Sequence, residues 1–413
     1  MILSFVYFFC ILGAYYVMRP MRDQLAVEVG SSQLPWYFAA TLLVTIILTP
    51  LFSLIVSRWK RAVVMPFVYL FFIVCQLAFI PLFNNHAMIP VKALGFLFFV
   101  WVSVFNLFVI SVFWSFMTDI WDDLQARRLF PIIAFGGTLG AILGPVITRG
   151  LVSVIGSGFL LLVSACLLLV AVFCIILLGN WAHKYSVHRN EPASEGAVGG
   201  GMLDGLKQIF TNPFIATMAV MMLLSDAIGT TAYVLITDYS GVAFKGDAIA
   251  QTRFAADMDL AANILQMLFQ LTITRFLLVR YGAGSVFAIS CGLVVLMCLA
   301  LASLDNPYAV LFFSMPPIAL VMVITRAVAH GMLQPARETL YTLVPRTLRY
   351  KGKNAVDTVV WRAGDVASLV WIKGLQGLGV HASGFALIWA LLAAVSGWIG
   401  WGLANKTEKN EFE

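Results

Sequence analysis

Charged and polar side chains interrupt otherwise apolar stretches of this sequence, and they are its best candidates for chemistry. The first group is Tyr15, Arg19, Arg22 and Asp23, whose spacing places them on one side of a helix. Two guanidinium groups can hold a carboxylate or a phosphate through forked hydrogen bonds. The alternative is a position at the membrane surface, which long side chains reach easily. We favour an internal position, because Asp23 beside two arginines limits the cost of desolvating them.

A second group forms a polar stripe, with Asp259, Asn263, Gln266 and Gln270 on one face of a predicted helix. Such a stripe indicates either the lining of a cavity or a hydrogen-bonded contact between helices. Both interpretations remain open for the amides. For Asp259 we favour a cavity, because a carboxylate is costly to bury without a use.

The third group consists of opposite charges that recur in the last third of the chain. Arg362 and Asp365 are one helical turn apart and can neutralise each other, and Asp357 can pair with a base on another helix. These pairs indicate substrate binding or, nearly as well, salt bridges that close one side of the protein. Buried carboxyl groups could also carry protons, because a low dielectric favours their neutral form. The predicted substrate-binding residues are Tyr15, Arg19, Arg22, Asp23, Asn263, Gln266, Arg326, Arg337, Glu338 and Arg362, and the predicted proton- or ion-coupling residues are Asp226, Asp259, Asp357 and Asp365.

The elements that position these residues are predicted to be membrane-spanning helices. The sequence is 61% hydrophobic and 11% charged, which leaves no room for a soluble domain of useful size. Each span needs about 20 apolar residues. Such stretches lie near 1–18, 35–56, 62–83, 91–117, 130–150, 157–179, 213–237, 255–279, 284–304, 308–332, 354–375 and 383–404. The sequence therefore predicts an all-α membrane protein with 12 transmembrane helices.

A polar, glycine-rich segment divides these spans into two sets of six. We predict an N-terminal half at 1–179, a cytoplasmic linker at 180–211 and a C-terminal half at 212–413. The second and eighth spans end in similar segments, Leu51–Arg58 and Leu268–Arg275, which favours a duplicated six-helix unit. This arrangement is typical of the major facilitator architecture, in which the two halves surround a midplane site.

The charge pattern and the missing motifs narrow the function further. Basic loops alternate along the chain, which predicts that both termini are cytoplasmic in a bacterial inner membrane. The same bias accounts for the net charge of +6, so it does not call for a nucleic-acid partner. One chain supplies both halves, so a monomer suffices. Metal-ligand and catalytic motifs are missing, and Gly199–Gly201 has no phosphate-loop lysine, so we predict a secondary transporter without a cofactor, not an enzyme.

Three glycines, Gly136, Gly140 and Gly144, recur every fourth residue and are followed by Pro145. This spacing lets a neighbouring helix approach closely. It also looks like the Gly-x-x-x-Gly-Pro motif of facilitator-type antiporters. We favour simple packing, because the spacing is common in membrane helices.

Several segments resemble the ATP:ADP antiporter family, the nucleotide exchangers of plastids and intracellular bacteria. The similar segments are Arg19–Asp23, Gln125–Pro131 with the glycines that follow, Pro335–Tyr341 and Lys351–Asp365, the last two being the most specific. The resemblance covers both halves. It implies a facilitator-type fold and membership of a bacterial branch of that family.

The chain departs from the characterised exchangers at charged positions. They have lysine where this chain has Arg22, lysine near the position of Asp365, and a glutamate where the segment 232–237 has no acid. Compared with those exchangers, this chain has lost a cation and gained an anion, and this change in charge disfavours the binding of a nucleoside triphosphate. We therefore predict a transporter of an organic anion or nucleotide-like metabolite, with true ATP/ADP exchange less favoured. The alternatives are a proton-coupled exporter of a non-nucleotide molecule such as a siderophore or drug, and a scaffold or receptor that keeps the fold without transport.

Overall fold

The computed structural model describes residues 1–58, 61–85, 88–121, 123–184, 202–310, 315–344 and 352–408. These residues form long helices joined by short turns, as the apolar stretches predict. A helix satisfies its own backbone hydrogen bonds, which is required in lipid. The helices are α1 Ile2–Val29, α2 Leu34–Arg58, α3 Arg61–Asn84, α4 Val91–Ile120, α5 Asp123–Lys184, α6 Met202–Thr211, α7 Pro213–Ala243, α8 Ala248–Phe269, α9 Arg275–Ala302, α10 Pro317–Val328, α11 Gln334–Thr342, α12 Lys353–Ala355, α13 Trp361–Gly377 and α14 Ala382–Glu408.

Two helices contain a sharp break at a glycine. Gly156 in α5 has a φ of 76° and Gly282 in α9 has a φ of 77°, a left-handed conformation that suits glycine. Nine helical stretches within the described residues are long and apolar enough to cross a membrane, and two of these contain the breaks. Each break divides one long stretch into two spans, which gives eleven, and the helical segment 353–377 adds a twelfth. The described helices therefore agree with twelve spans.

Three π-helical segments continue α-helices instead of ending them: Gln270–Thr274, Ala329–Leu333 and Val356–Val360. The hydroxyl of Thr274 donates a hydrogen bond of 2.7 Å to the carbonyl of Gly331, which ties the first of these segments to the second. π-Turns inside helices are frequent at functional sites.

The predicted ends of two spans were wrong. The first span was expected to end near residue 18, but α1 continues to Val29 and ends at Gly30, whose φ is 91°. Arg19, Arg22 and Asp23 therefore lie within the helix. The tenth span was expected at 308–332, but helix runs from Pro317 to Thr342. The predicted ends were wrong because hydropathy falls at charged residues. A helix can continue through such residues when their charges are paired.

Contacts group the described residues into two compact units. Unit 1 contains α1 to α5 together with Ser240–Asn263, the end of α7 and most of α8. Unit 2 contains α6, α7 as far as Tyr239, and the chain from Ile264 onwards. The predicted division at 180–211 remains a prediction. Residues 185–201 of that linker lie outside the described residues, and its last part forms α6.

In unit 1, α1 packs directly on the glycine series of α5. A Cβ atom at Gly136 would lie 2.7 Å from the carbonyl oxygen of Phe5, and one at Gly144 would lie 2.7 Å from the Cβ of Tyr16. A Cβ at Gly140 would overlap the carbonyl oxygen of Phe9. The packing interpretation is therefore confirmed, and this contact fixes the helix that carries the first charged group.

Candidate functional site

The first charged group is joined in unit 1 by an aspartate from α8. We call Arg19, Arg22, Asp23 and Asp259 the basic cluster. Arg22 donates from Nε and Nη2 to Oδ1 of Asp23, at 2.9 and 2.7 Å. Arg19 Nη1 lies 3.6 Å from Oδ1 of Asp259, and its Nε lies 4.0 Å from Oδ2 of Asp23. The two arginines are thus balanced by two carboxylates, which limits the cost of holding them inside a membrane protein.

Aromatic rings flank both guanidinium groups of the basic cluster. The guanidinium of Arg22 lies 4.9 Å from the ring centre of Phe99, and that of Arg19 lies 5.7 Å from the ring of Tyr16. The buried ring of Tyr15 meets that of Tyr16 edge to face. Cations stacked on aromatic faces keep their planar donors in fixed orientations.

The amides of the predicted polar stripe have different surroundings. Asn263 is buried and donates to the carbonyl of Ala141 on α5 at 2.7 Å, so its amide serves as a contact between helices. Gln266 is half-buried, and its backbone carbonyl faces Gly331. Gln270 is exposed in the first π-helical segment. Within this stripe, Asp259 is the residue that joins the basic cluster.

Unit 2 contains a carboxyl cluster formed by α7 and α13, which we define as Asp226, Thr230, Trp361, Arg362 and Asp365. Trp361 Nε1 donates to Oδ1 of Asp226 at 2.8 Å, and the hydroxyl of Thr230 donates to Oδ1 of Asp365 at 2.8 Å. Arg362 Nη1 donates to Oδ2 of Asp365 at 3.4 Å, which confirms the predicted pairing within α13. Asp226 and Asp365, far apart in sequence, are neighbours here.

A third group of charges surrounds the start of α11 and the segment after it. We call Arg337, Glu338, Lys353 and Asp357 the α11 cluster. Arg337 Nη2 lies 3.0 Å from Oδ1 of Asp357, and Lys353 Nζ donates to Glu338 at 2.5 Å. The prediction that Asp357 pairs with a base from another helix is confirmed. Two cations meet two anions, an arrangement that suits a structural salt-bridge network.

The α11 cluster gives a direct prediction. Asp357→Asn should lower the thermal stability of the purified protein, because Arg337 is largely buried and would lose its closest counterion. Glu338→Gln should cost less than about 1 kcal/mol, because Glu338 is 40% exposed and water replaces its partner. Melting curves in detergent measure both. Equal melting temperatures for the two variants would show that the Arg337–Asp357 pair is not structural.

One predicted residue lies outside these three clusters, and three residues with polar contacts were not predicted. Arg326 is a half-buried residue of α10. Trp361 and Thr230 were not predicted, because neither is charged and only the fold brings them to carboxyl groups. Arg149 was also missed; its Nε lies 3.0 Å from Oδ1 of Asp257 in unit 1. No group of three or more potential metal ligands occurs among the described residues.

Comparisons with known proteins agree with this architecture. A sequence model described as Major Facilitator Superfamily matches residues 3–352. No curated protein sequence matches the chain significantly. A mutant of the nucleoside transporter NupG superposes with a TM-score of 0.69 at 15% identity, covering 97% of this chain and 99% of that one.

Two further solved structures show the same fold. A D-xylose-proton symporter superposes with a TM-score of 0.67 at 12% identity, covering 98% of both chains. The POT family transporter PepTSo gives a TM-score of 0.66 at 13% identity, again with 98% of both chains covered. The predicted twelve-helix bundle is confirmed at the level of fold, and the multi-pass membrane class follows from it. The chain belongs to the Major Facilitator Superfamily and is a transporter, not an enzyme.

Proposed function

We propose that this protein is a secondary transporter of an organic anion or nucleotide-like metabolite, and that the basic cluster binds the anionic group. The observation that carries the proposal is the pairing of Arg22 with Asp23 beside Arg19. An anion that enters the cluster replaces Asp23 as the partner of the Arg22 fork, so one ionic contact exchanges for another. Because Arg22 always has an anionic partner during this exchange, its charge is never left buried and unpaired, which would be costly.

The exposure of the arginines and the aromatic rings beside them support this role. The side chains of Arg19 and Arg22 are 17% and 12% exposed, more than the 3% of Asp259, which serves as a fixed counterion. The rings of Tyr15, Tyr16 and Phe99 provide flat apolar surfaces next to the cations. A solute that carries both a planar ring and a negative charge fits this combination better than a sugar does.

Charged residues of the sequence support an anionic, nucleotide-like solute. Arg22 preserves the charge of the lysine in the nucleotide exchangers, which favours a nucleotide-like anion. Asp365 reverses a charge, which disfavours a triphosphate. One structural neighbour is a nucleoside transporter, and nucleosides are chemically related to nucleotides. The two proteins are similar in fold only. The proposed location is the bacterial inner membrane, with both termini cytoplasmic.

A thermal-stability panel tests this proposal with the purified protein. Nucleoside mono- and diphosphates, uncharged nucleosides, dicarboxylates and siderophores are compared, because a ligand that binds only the folded state raises its apparent stability. We expect stabilisation by anionic compounds and no response to uncharged nucleosides. Stabilisation by a cationic drug or a siderophore, without any response to organic anions, would instead support the exporter alternative.

A further inference from the structure

The carboxyl cluster of unit 2 differs from the other charged clusters in its balance of charge. The basic cluster has two arginines and two carboxylates, and the α11 cluster has two cations and two anions. In the carboxyl cluster, two carboxyl groups face one guanidinium, that of Arg362. One negative charge is therefore left without a cation among the described residues.

The hydrogen bonds show where the imbalance lies. Both oxygens of Asp365 accept from donors, Oδ1 from Thr230 and Oδ2 from Arg362. Oδ1 of Asp226 accepts from Trp361, but its Oδ2 is buried, and none of the described N–H groups donates to it. Asp365 follows Gly364, and Gly364 lies against this Oδ2 atom, so the two carboxyl groups are neighbours. A proton on Oδ2 of Asp226 would satisfy this atom and bind the two groups together.

The neighbouring elements offer no other charge to this pair within the described residues. From α7 it meets the hydroxyl of Thr230, and from α13 it meets the indole of Trp361 and the guanidinium of Arg362. The residues next to Thr230 and Asp226 in sequence contact α14 through neutral groups: Trp389 donates to the hydroxyl of Thr231, and Ser396 faces Ser225. Gly364 lies against Oδ2 of Asp226, where a Cβ would be 3.2 Å away.

We propose that Asp226 and Asp365 share one exchangeable proton, and that this proton is the coupling ion for transport. The proton comes from water on one side of the membrane, resides on Oδ2 of Asp226 and leaves to water on the other side. Two carboxylates this close cannot both remain ionised in a low-dielectric site with one cation. A bound Na⁺ would balance the same charge, and the transport experiment below distinguishes the two ions. The coupling step rests on the proposed transport function, whereas the shared proton does not.

Infrared spectroscopy tests the shared proton without any solute. A pH titration of the purified protein in detergent should show the stretching band of a protonated carboxyl group. Asp226→Asn and Asp365→Asn should each remove the same component of this band from the wild-type spectrum, because each leaves one carboxylate opposite Arg362. Both variants should fold, because the remaining carboxylate and the guanidinium of Arg362 form a neutral pair. Asp305→Asn, an exposed control, and Asp257→Asn, a carboxylate paired with Arg149, should retain the band.

Proteoliposomes then test the coupling. With wild-type protein, a pH gradient should drive solute movement and a sodium gradient should not. Both Asn variants should lose at least tenfold of the pH-driven rate and keep solute counterflow, which needs no net proton movement. A carboxyl band that is the same in both variants as in the wild type overturns the shared proton. Full pH-driven transport by either variant, or dependence on sodium, overturns its role as the coupling ion.

Discussion

Arg22→Ala is expected to raise the half-saturation concentration for an anionic solute by about 10- to 100-fold. The fork of Arg22 makes two charged hydrogen bonds to Asp23, and the proposed solute takes over these donors. A hydrogen bond to a charged group contributes about 1.5–3 kcal/mol, and each 1.4 kcal/mol corresponds to about a tenfold change in affinity. Counterflow of a labelled solute in proteoliposomes, measured over a range of concentrations, gives this value.

Two variants control the measurement of Arg22. Arg22→Lys keeps the positive charge and loses the planar fork, so its half-saturation concentration should lie between those of the wild type and Arg22→Ala. Arg280→Ala removes an exposed arginine that stacks on Phe276 and Tyr281, and it should leave transport unchanged. If Arg22→Ala transports with wild-type affinity while it remains folded, the anion is not bound by this cluster.

Gly140→Ala is expected to destabilise the protein and to reduce transport together. A Cβ atom at this position overlaps the backbone carbonyl of Phe9, and it would also lie 2.9 Å from the backbone nitrogen of Gly13. Backbone atoms cannot turn aside as a flexible side chain can, so α1 and α5 must separate. Overpacking of this kind typically costs about 1–3 kcal/mol. Because α1 carries Arg19 and Arg22, its displacement also disturbs the basic cluster.

The matched control for Gly140 is Gly150 on the same helix. A Cβ at Gly150 would meet no atom within 4 Å, so Gly150→Ala adds a methyl group to open space. Alanine favours helix over glycine by about 1 kcal/mol, so this variant should be as stable as the wild type or slightly more stable. Melting temperatures in detergent compare the two variants. An equal effect of both substitutions would contradict the close approach of α1 and α5.

The helices themselves could be predicted from the sequence because a membrane imposes a minimum apolar length on each span. Their ends could not be predicted in the same way. The apolar run stops at Arg19, yet α1 continues to Val29, because Asp259 and Asp23 compensate the arginines inside the fold. The π-helical segments left no recognisable signal in the sequence either, and one of them links Thr274 to Gly331.

The candidate site was predictable in composition but only partly in pairing. Local pairs followed from helical spacing, as for Arg362 with Asp365. Pairs between distant segments required the fold, as for Arg19 with Asp259 and Asp226 with Asp365. The roles of these residues in binding and coupling remain predictions, because charge and spacing identify a class of ligand and not a particular solute.

Counterflow into proteoliposomes that contain the wild-type protein tests the central claim most directly. Vesicles preloaded with an unlabelled organic anion or nucleoside monophosphate are diluted into the labelled compound, with protein-free vesicles as the blank. We predict accumulation of the labelled anion above the blank, and a lower accumulation in Arg22→Ala when the solute concentration is below the half-saturation value of that variant. Accumulation of uncharged nucleosides or sugars alone, with the same rate in Arg22→Ala, would contradict anion binding by the basic cluster.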